Sequence, residues 1–337
     1  MDSPFDTLRL PGPFARRRGP DPDPDPEPTT TPKRHWRIFI TENHGSDSAG
    51  IARRQFHESA WGSAVATDSG VASASGSFSS NNTPDVAFSN IFPVTRRESE
   101  EHTWFSDQTG GPWWIAYDFG EGNEVAIDAV TLINPIRATG DTYDVSVLSF
   151  EVQSSDDGSS WQTEWEATGN SDINAAAKRH IRPEAEVSYT GSPHGAHTQW
   201  RTFFDRETRY VGFAQIEMRD APGGNDQSSL SNFSGSSQFD DSNFAIANAF
   251  DGDPSTTWIT EADENINWLQ LESSTEFEVS EIALRERASG DSHWPRYMFV
   301  AHRDGSGPWT IAFVESNMRP GPGLGNWRTH QDENYIT

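Results

Sequence analysis

Short runs of alternating apolar and polar residues, each bounded by Gly, Asp, Asn or Ser, fill most of the chain after residue 35. One run, Phe150 to Trp161, reads FEVQSSDDGSSW, and another, Met298 to Trp309, reads MFVAHRDGSGPW. Alternation followed by Asp-Gly and an aromatic residue predicts a strand, a tight turn and the start of a second strand. A repeat spacing of about 150 residues predicts two related domains, because solenoid repeats are much shorter.

Other landmarks recur in the same order along the two halves. The matched pairs are Trp104 with Trp258, Trp113 with Trp268, Trp161 with Trp309, the Trp-Arg-Thr at Trp200 with that at Trp327, and residues 72–89 with 233–250. A large apolar side chain that returns at the same place in both copies is typical of a core position. We therefore expect the repeated tryptophans to be packing residues, not ligand contacts.

The organisation predicted from these patterns has three parts. Residues 1–35 form an extended Pro/Asp-rich arm, residues 36–222 a first β-sandwich and residues 223–337 a second one. Gly223 to Ser229 is the expected linker, because Gly and Ser clusters between periodic segments mark loops. No segment has a convincing long amphipathic helix, so the expected fold class is all-β.

The arm contains two kinds of sequence. Alternation of Pro and Asp from Pro20 to Pro28 predicts an extended, polyproline-like spacer. Four apolar residues precede it, namely Phe5, Leu8, Leu10 and Phe14. They are compatible with a disordered tail, but so many apolar residues in so short a segment favour a peg that docks on a partner protein.

Composition narrows the classes of function. The chain of 337 residues is long enough for two cores, and its 13 Trp and 20 Phe predict thin sandwich cores built from a few large side chains. The net charge of −26 disfavours nucleic acid and anionic lipid as partners, because phosphate contacts need clustered Lys and Arg. The absence of Cys excludes disulfides, thiol catalysis and Cys-zinc sites.

Targeting signals are not evident in the sequence. No apolar run approaches the length of a transmembrane helix, and the N-terminus lacks a basic region followed by an apolar one. We therefore expect neither membrane insertion nor export by the general secretory route.

The second half contains four blocks in order, namely AFDGDPSTTW from Ala249, WLQLESS from Trp268, EVSEIALRER, and MFVAHRDGSGPW from Met298. These blocks resemble the discoidin, or factor V/VIII type C, family of galactose-binding-like domains. The first half keeps WWIAYDFG and FEVQSSDDGSSW, but AFSNIFPVTRRESEEHTW replaces the short Asp-Gly turn. The resemblance implies two jelly-roll β-sandwiches in tandem, with loops at one pole where family members bind sugars, lipid head groups or proteins.

The first predicted strand, WRIFIT from Trp36, looks like the closing strand of this family, moved to the N-terminal end of the domain. Such strands joined to discoidin-like repeats resemble structural proteins of tailed phages. The resemblance therefore implies a virion protein, anchored to other virion proteins by the arm and expected to form homo-oligomers.

The Asp-Gly turn of the second half is a candidate metal site. Asp251, Asp253 and Thr256 stand where the family has a calcium loop, and hard oxygen ligands on a tight turn suit Ca²⁺. The ion would be structural, since related domains use it to hold a loop. The alternative is that both carboxylates only cap the turn through its backbone.

A candidate glycan site lies before the strand that begins at Met298. His293, Trp294 and Arg296, with Asp291, offer an aromatic face, donors and an acceptor, as sugar recognition requires. In the first half, Arg97 and His102 occupy the comparable polar loop. The alternative is that Trp294 packs at the edge of the sandwich while Arg296 pairs with an acidic neighbour.

Catalysis finds little support, because the sequence has no His-Glu-x-x-His, Gly-x-Ser-x-Gly or phosphate-loop motif. The function predicted from the sequence is a non-enzymatic virion component whose sandwiches adhere to host-surface glycans or decorate the particle. The alternatives are a secreted bacterial carbohydrate-binding protein and a scaffold that only contacts other subunits.

Overall fold

The protein is an all-β molecule with two units of the same construction. The computed structural model describes residues 30–89, 103–107, 110–135, 144–168, 177–183, 192–204, 210–261, 267–288, 293–315, 318, 323 and 325–332. We call residues 30–183 the first unit and residues 192–332 the second unit. The only α-helix among the described residues is α1 (Pro84–Phe88), and none of their helices is long and apolar enough to cross a membrane.

Ten strands belong to each unit within these ranges. The strands of the first unit are β1 (His35–Asn43), β2 (Gly50–Ile51), β3 (Arg53–His57), β4 (Val71–Ala74), β5 (Trp104–Phe105), β6 (Trp113–Asp118), β7 (Ala129–Ile133), β8 (Val147–Ser155), β9 (Gln162–Ala167) and β10 (Ala177–Ile181). The strands of the second unit are β11 (His197–Phe204), β12 (Gly212–Phe213), β13 (Gln215–Arg219), β14 (Asn232–Gly235), β15 (Trp258–Ile259), β16 (Asn267–Phe277), β17 (Glu281–Arg285), β18 (Met298–Arg303), β19 (Thr310–Glu315) and β20 (Trp327–Gln331).

The strands are ordered identically in the two units. The large sheet has the order β4-β6-β1-β8-β9 in the first unit and β14-β16-β11-β18-β19 in the second. The small sheet is β10-β7-β3 in the first and β20-β17-β13 in the second, and a two-stranded ladder, β2-β5 or β12-β15, completes each unit. All these strand pairs are antiparallel. The predicted fold class, two jelly-roll β-sandwiches, is confirmed, whereas the arm with Phe5, Leu8, Leu10 and Phe14 lies outside the described residues.

Each unit opens with the strand that lies at the centre of its large sheet. Strand β1 pairs with β6 on one side and β8 on the other, and β11 pairs with β16 and β18 in the same way. Trp36 on β1 is fully buried and donates its indole N–H to the Val125 carbonyl at 2.9 Å. Trp200 on β11 is also fully buried and donates to the Phe277 carbonyl at 2.7 Å. An N-terminal strand at the centre of the large sheet therefore occurs in both units.

The expected boundary at residues 222 and 223 does not match the division of the sheets. Strands β11 and β13 pair with β16, β18 and β17 of the second unit, although both precede residue 223. Trp200, Ile216 and Met218 are part of the core of the second unit. A boundary at residue 223 would assign them to the first unit and separate them from this core. The units divide between Ile181 and His197, and Asp226 and Gln227 form backbone contacts with Met218 inside the second unit.

Two of the predicted tryptophan pairs are also different in the structure. Trp36, at the centre of β1, is the counterpart of Trp200, whereas Trp327 is exposed on β20 at the edge of a small sheet. Phe39 pairs with Trp114 as Phe203 pairs with Trp268, so Trp114 and not Trp113 is the counterpart of Trp268.

Not every repeated tryptophan is a core residue. Trp113 and Trp309 are buried, but Trp161 and Trp268 are half-buried on the outer faces of the large sheets. An arginine stacks on each of these two rings: Arg37 lies 4.2 Å from the Trp161 ring and Arg201 lies 3.8 Å from the Trp268 ring. The outer face of each large sheet therefore carries a cation–π contact worth about 1 kcal/mol.

The two units share a third hydrophobic cluster besides their own cores. Along β18, Met298 and Val300 point into the core of the second unit, while Phe299 and Ala301 point out of it, as the period of two in a strand requires. The outward residues pack in a cluster that also contains residues of the first unit. Its buried members are Ala52, Ile133, Phe203, Tyr297, Phe299, Ala301, Trp309 and Ile311. The small sheet of the first unit thus covers the outer face of the second unit's large sheet.

Gln55 on β3 joins the units by a two-point hydrogen bond. Its Nε2 donates to the Trp309 carbonyl at 2.6 Å, and its Oε1 accepts from the Ile311 backbone N–H at 3.0 Å. Strand β19 is the last in its sheet, and its free edge would otherwise present unpaired backbone groups. The Thr310 hydroxyl accepts a further bond from the Ala64 backbone N–H at 2.7 Å. We call this contact the unit seam.

We predict that Gln55→Glu destabilises the whole chain by about 3 kcal/mol. A carboxylate in place of the buried amide cannot donate to the Trp309 carbonyl and leaves a charge without solvent. Chemical denaturation of the full chain measures the change. Glu217→Gln is the matched control, because Glu217 takes the corresponding place on β13 and is only half-buried. This substitution should change the free energy of unfolding by less than about 1 kcal/mol. Equal effects of the two substitutions would contradict a bridging role for Gln55.

Three buried histidines lie near the seam. Burial lowers the pKa of His57, His194 and His302 well below the usual histidine value of about 6.5, and neighbouring Arg179 lowers each further. The His302 ring stacks on that of His197 at 3.7 Å. The acidic groups on this side are Asp332, 3.4 Å from His194, and Asp304, which accepts from His197 at 2.7 Å.

We predict that the free energy of unfolding falls as the pH drops below about 6.5. The unfolded chain takes up protons on these histidines there, whereas the folded chain keeps them neutral, so stability is complete above this pH. Asp118, whose pKa is lowered to about 2 chiefly by its hydrogen bond from Arg34, affects stability only below about pH 4. Denaturation curves between pH 8 and 5 test this, and His302→Phe should reduce the slope. A flat profile in wild type would contradict it.

Candidate functional site

The loops of the second unit gather at one end of its sandwich. Phe204 ends β11, and it pairs with Asn267 at the start of β16 and with Met298 at the start of β18. Because these strands are antiparallel, the connections beyond these three residues leave the sheet in the same direction. We call this end the loop pole.

Phe239 is an exposed aromatic residue on a loop of this pole. About half of its side chain, 51%, is open to solvent. Its backbone N–H donates to the Ile259 carbonyl at 2.8 Å, and the buried Trp258 donates its indole N–H to the Ser237 carbonyl at 2.9 Å. The loop is therefore held in place by the sandwich while its apolar ring faces water, which is the arrangement of a preorganised contact.

Other rings surround Phe239 and form what we call the aromatic cluster. Tyr210 lies edge-on to Phe239 at 5.5 Å, and Phe244 lies 6.0 Å away. The His293 ring lies 5.3 Å from that of Tyr210. Asp240, next to Phe239, accepts from the Ser242 N–H at 2.7 Å, a bond that is the largest cause of its lowered pKa. The cluster thus combines an apolar ring face with polar groups at its margin.

The first unit repeats this loop with a second exposed phenylalanine. Phe78 is 73% exposed, its N–H donates to the Phe105 carbonyl at 2.8 Å, and Trp104 donates its indole N–H to the Gly76 carbonyl at 2.9 Å. These bonds have the same pattern as those of Phe239, Ile259 and Trp258. An exposed aromatic side chain gains nothing for the core, so its presence at the same place in both units indicates a function at the surface.

The predicted glycan residues are only partly at this site. Trp294 is 1% exposed and belongs to the core of the second unit, so the prediction that its ring offers an open face is wrong. Its ring fills the space between the two sheets, and Trp294→Ala would report on packing and not on binding. His293 is half-buried beside Tyr210, and Arg296 lies 5.5 Å from the Tyr297 ring. Asp291, Arg97 and His102 lie outside the described residues.

The exposed phenylalanines, which sequence reasoning missed, lie within one of the repeated blocks. The loose match of residues 72–89 with 233–250 places Phe78 opposite Phe239. The signal in the sequence was a phenylalanine at the same position of two Ser-rich segments, which have no need of a large core residue. Tyr210 carried no comparable signal, because its neighbours in the cluster are far away in the sequence.

The predicted calcium residues do lie together, in what we call the oxygen ring. Thr256 Oγ1 lies 2.9 Å from Asp251 Oδ2 and 2.8 Å from the Asp253 carbonyl. The Nε2 atom of Gln215 on β13 lies 2.8 Å from each of three oxygens of this ring, namely Asn248 O, Asp251 Oδ1 and Asp253 O. The ring thus contains the hard oxygen donors that Ca²⁺ prefers.

The arrangement of the ring does not fit a bound cation. A side-chain nitrogen, Gln215 Nε2, takes the centre that an ion would need. The Asp253 carboxylate does not face the ring but accepts from the Ser255 backbone N–H at 2.9 Å and from its hydroxyl at 2.7 Å. These bonds, led by that of the hydroxyl, lower the pKa of Asp253. Within the described residues, no group of three or more His, Cys, Asp or Glu side chains could hold a metal ion.

Comparison with known proteins gives one finding for this part of the chain. The family model of the F5/8 type C domain matches residues 232–333, which include the oxygen ring, Phe239 and strands β14 to β20. No curated protein and no solved structure matches the chain. The match supports a discoidin, galactose-binding-like domain in the second unit, a type of domain that suggests binding of carbohydrate or another ligand.

Proposed function

We propose that the second unit is a carbohydrate-binding module whose contact surface is the aromatic cluster at the loop pole. The observation that carries the proposal is the exposed ring of Phe239 on a loop fixed by the sandwich. The flat face of a pyranose ring presents C–H groups that pack on an aromatic ring, and its hydroxyls need donors and acceptors at the margin. His293 and Asp240 supply such groups beside Tyr210 and Phe239.

The ligand proposed is a neutral glycan. The chain carries a net charge of −26, which repels sulfated or sialylated sugars as it repels phosphate. Arg296, the basic residue of the predicted glycan set, lies 5.5 Å from the Tyr297 ring. Binding to a neutral sugar would therefore depend on stacking and hydrogen bonds, and only weakly on salt.

We extend the proposal to a tandem of two discoidin-like units. The identical strand order and the matched loop of Phe78 support this reading of the first unit, which the family model does not cover. We also propose that the protein is not an enzyme, since the sequence motifs of hydrolases and phosphoryl transfer are missing and the aromatic cluster offers a contact surface, not a nucleophile with its base.

We predict that Phe239→Ala weakens binding to a neutral glycan at least tenfold and changes the melting temperature by only about 1–2 °C. An exposed ring contributes little to the core, but its loss removes the stacking face. Array screening of neutral glycans selects the probe, and calorimetry then measures its affinity for each variant.

The matched control for this experiment is Phe233→Ala. Phe233 is also exposed, at 44%, but its ring stacks on Phe250 at 5.0 Å and not on the aromatic cluster. The control variant should bind the glycan as wild type does. Unchanged affinity in the Phe239 variant, or no glycan bound by wild type on the array, would contradict the proposed site and favour a scaffold that contacts only other subunits.

The setting that we propose is the virion of a tailed phage or phage-like particle, in which the arm docks on other virion proteins and the units face outward. This rests on the resemblance of the WRIFIT strand and its repeats to phage structural proteins, and on the apolar residues Phe5, Leu8, Leu10 and Phe14 ahead of the Pro-Asp spacer. A secreted carbohydrate-binding protein remains the competing proposal.

We predict that deleting residues 1–28 leaves a folded, glycan-competent protein that no longer co-purifies with density-banded particles. The apolar segment would be lost while the described units, which begin at residue 30, stay complete. Quantitative immunoblotting of the particles measures incorporation against the full-length chain. Normal incorporation of the deletion would exclude the arm as the anchor, and a full-length chain absent from particles would favour the secreted protein.

A further inference from the structure

We propose that the side-chain amide of Gln215 takes the place of a metal ion in the oxygen ring of the second unit, so that the Asp-Gly turn holds its shape without calcium. The inference concerns the ring and does not rest on the proposed glycan binding. It is drawn from the positions of Gln215 and the oxygens around it.

The first argument is the position of the amide nitrogen. Gln215 is 4% exposed, and its Nε2 lies 2.8 Å from Asn248 O, Asp251 Oδ1 and Asp253 O alike. An amide nitrogen has two hydrogens, so three acceptors at one distance exceed what it can bond. Equal contacts to several oxygens are characteristic of a group at the centre of a coordination sphere.

The second argument is the excess of acceptors over hydrogens around the ring. Thr256 Oγ1 has one hydrogen but lies within 3.1 Å of both Asp251 carboxylate oxygens and of the Asp253 carbonyl. The donors around these oxygens are the Gln215 amide, the Thr256 hydroxyl, and the backbone N–H groups of Asp253 and Thr256, and their hydrogens are fewer than the lone pairs of the ring. Such a concentration of partial and full negative charge needs donors, and the N–H groups of Gln215 are the donors that reach three of these oxygens from one point.

The third argument is the orientation of the amide. Gln215 Oε1 accepts from the Gly252 backbone N–H at 2.8 Å. Turning the amide over would place its oxygen against three oxygens and its nitrogen against the Gly252 N–H, so both ends would lose their partners. The nitrogen is therefore fixed toward the ring. Gly252 itself has a φ of +72°, which favours Gly and keeps this N–H in position.

The first unit also has a nitrogen-bearing side chain at the strand position that Gln215 occupies in the second unit. Arg53 on β3 pairs with Ile133, and Gln215 on β13 pairs with Arg285 in the same way. Arg53 and Gln215 are each the first residue of their strand, and both are buried. In the first unit this position holds a guanidinium group, whose pKa burial lowers to about 9. A side-chain nitrogen thus stands at this strand position in both copies.

The consequence is that one substitution separates a metal-independent ring from a calcium site. In Gln215→Glu, a carboxylate would replace the amide, remove its N–H donors and add negative oxygen to the ring. Repulsion from Asp251 would push this carboxylate out of the centre, and the hard oxygens around the vacated centre would then be a set that Ca²⁺ binds. The variant should be unstable without the ion because its charges repel one another, and stable with it.

The experiment is a thermal denaturation of full-length wild type, Gln215→Glu and Gln215→Met, each in EDTA and in excess CaCl₂. We expect the melting temperature of wild type to differ by less than about 1 °C between the two buffers, because a chain that does not bind the ion gains no linkage stabilisation. Gln215→Glu should melt lower than wild type in EDTA and recover by several degrees in Ca²⁺. Gln215→Met, which has the shape of Gln without its hydrogen bonds, should melt low in both buffers.

Asp251→Asn distinguishes the ring from adventitious calcium elsewhere on this acidic chain. A rise of the wild-type melting temperature in Ca²⁺ that Asp251→Asn abolishes would overturn the proposal, because it would place the ion in the ring. If Gln215→Glu does not fold, the wild-type comparison in EDTA and Ca²⁺ still decides between the two outcomes. A Gln215→Met variant as stable as wild type would also overturn it, since the amide would then hold nothing.

Discussion

Each unit depends on an opening strand that is hydrogen-bonded on both of its edges. Strands β1 and β11 lie at the centres of their large sheets, and each buries a tryptophan, Trp36 or Trp200, whose indole N–H is paired with a backbone carbonyl. The neighbouring strands can take their register only from this strand, because a shift by one residue would turn the ring out of the core. The loop poles, the oxygen ring and the unit seam are all positioned by sheets built around it.

The seam joins unlike surfaces, the small sheet of one unit and the large sheet of the next. Because the two contacting surfaces differ, the seam is a heterologous contact, and the two units need not be related by a two-fold axis. It buries Ala52 and Ile133 against the second unit and ties β19 to Gln55. Because apolar packing and directional hydrogen bonds both cross the seam, the two exposed phenylalanines, Phe78 and Phe239, belong to one connected body and not to two independent modules.

The sequence was sufficient for the fold class, because alternation and Asp-Gly turns are local signals. It was insufficient for the boundary, since the run around Trp200 is a good strand in either unit and only its distant partners, β16 and β18, decide where it belongs. The same reason explains the error at Trp294, whose polar neighbours suggested exposure while the space between the sheets required a ring. Gln215 lies far in sequence from the turn that it supports, so no spacing rule could connect them.

The polar character of the seam bears on how the chain is made. The strands of the first unit are complete at Ile181, but β19, which its Gln55 contacts, begins only at Thr310. At roughly 5–20 residues per second, a ribosome needs on the order of ten seconds to add that stretch. During this interval Gln55 and Arg179 lack their partners in the second unit, and water can solvate the amide and the guanidinium in their place. Among the described residues of the buried apolar cluster, the first unit exposes only Ala52 and Ile133 during this time, so the polar groups beside them reduce its tendency to aggregate before the second unit is made.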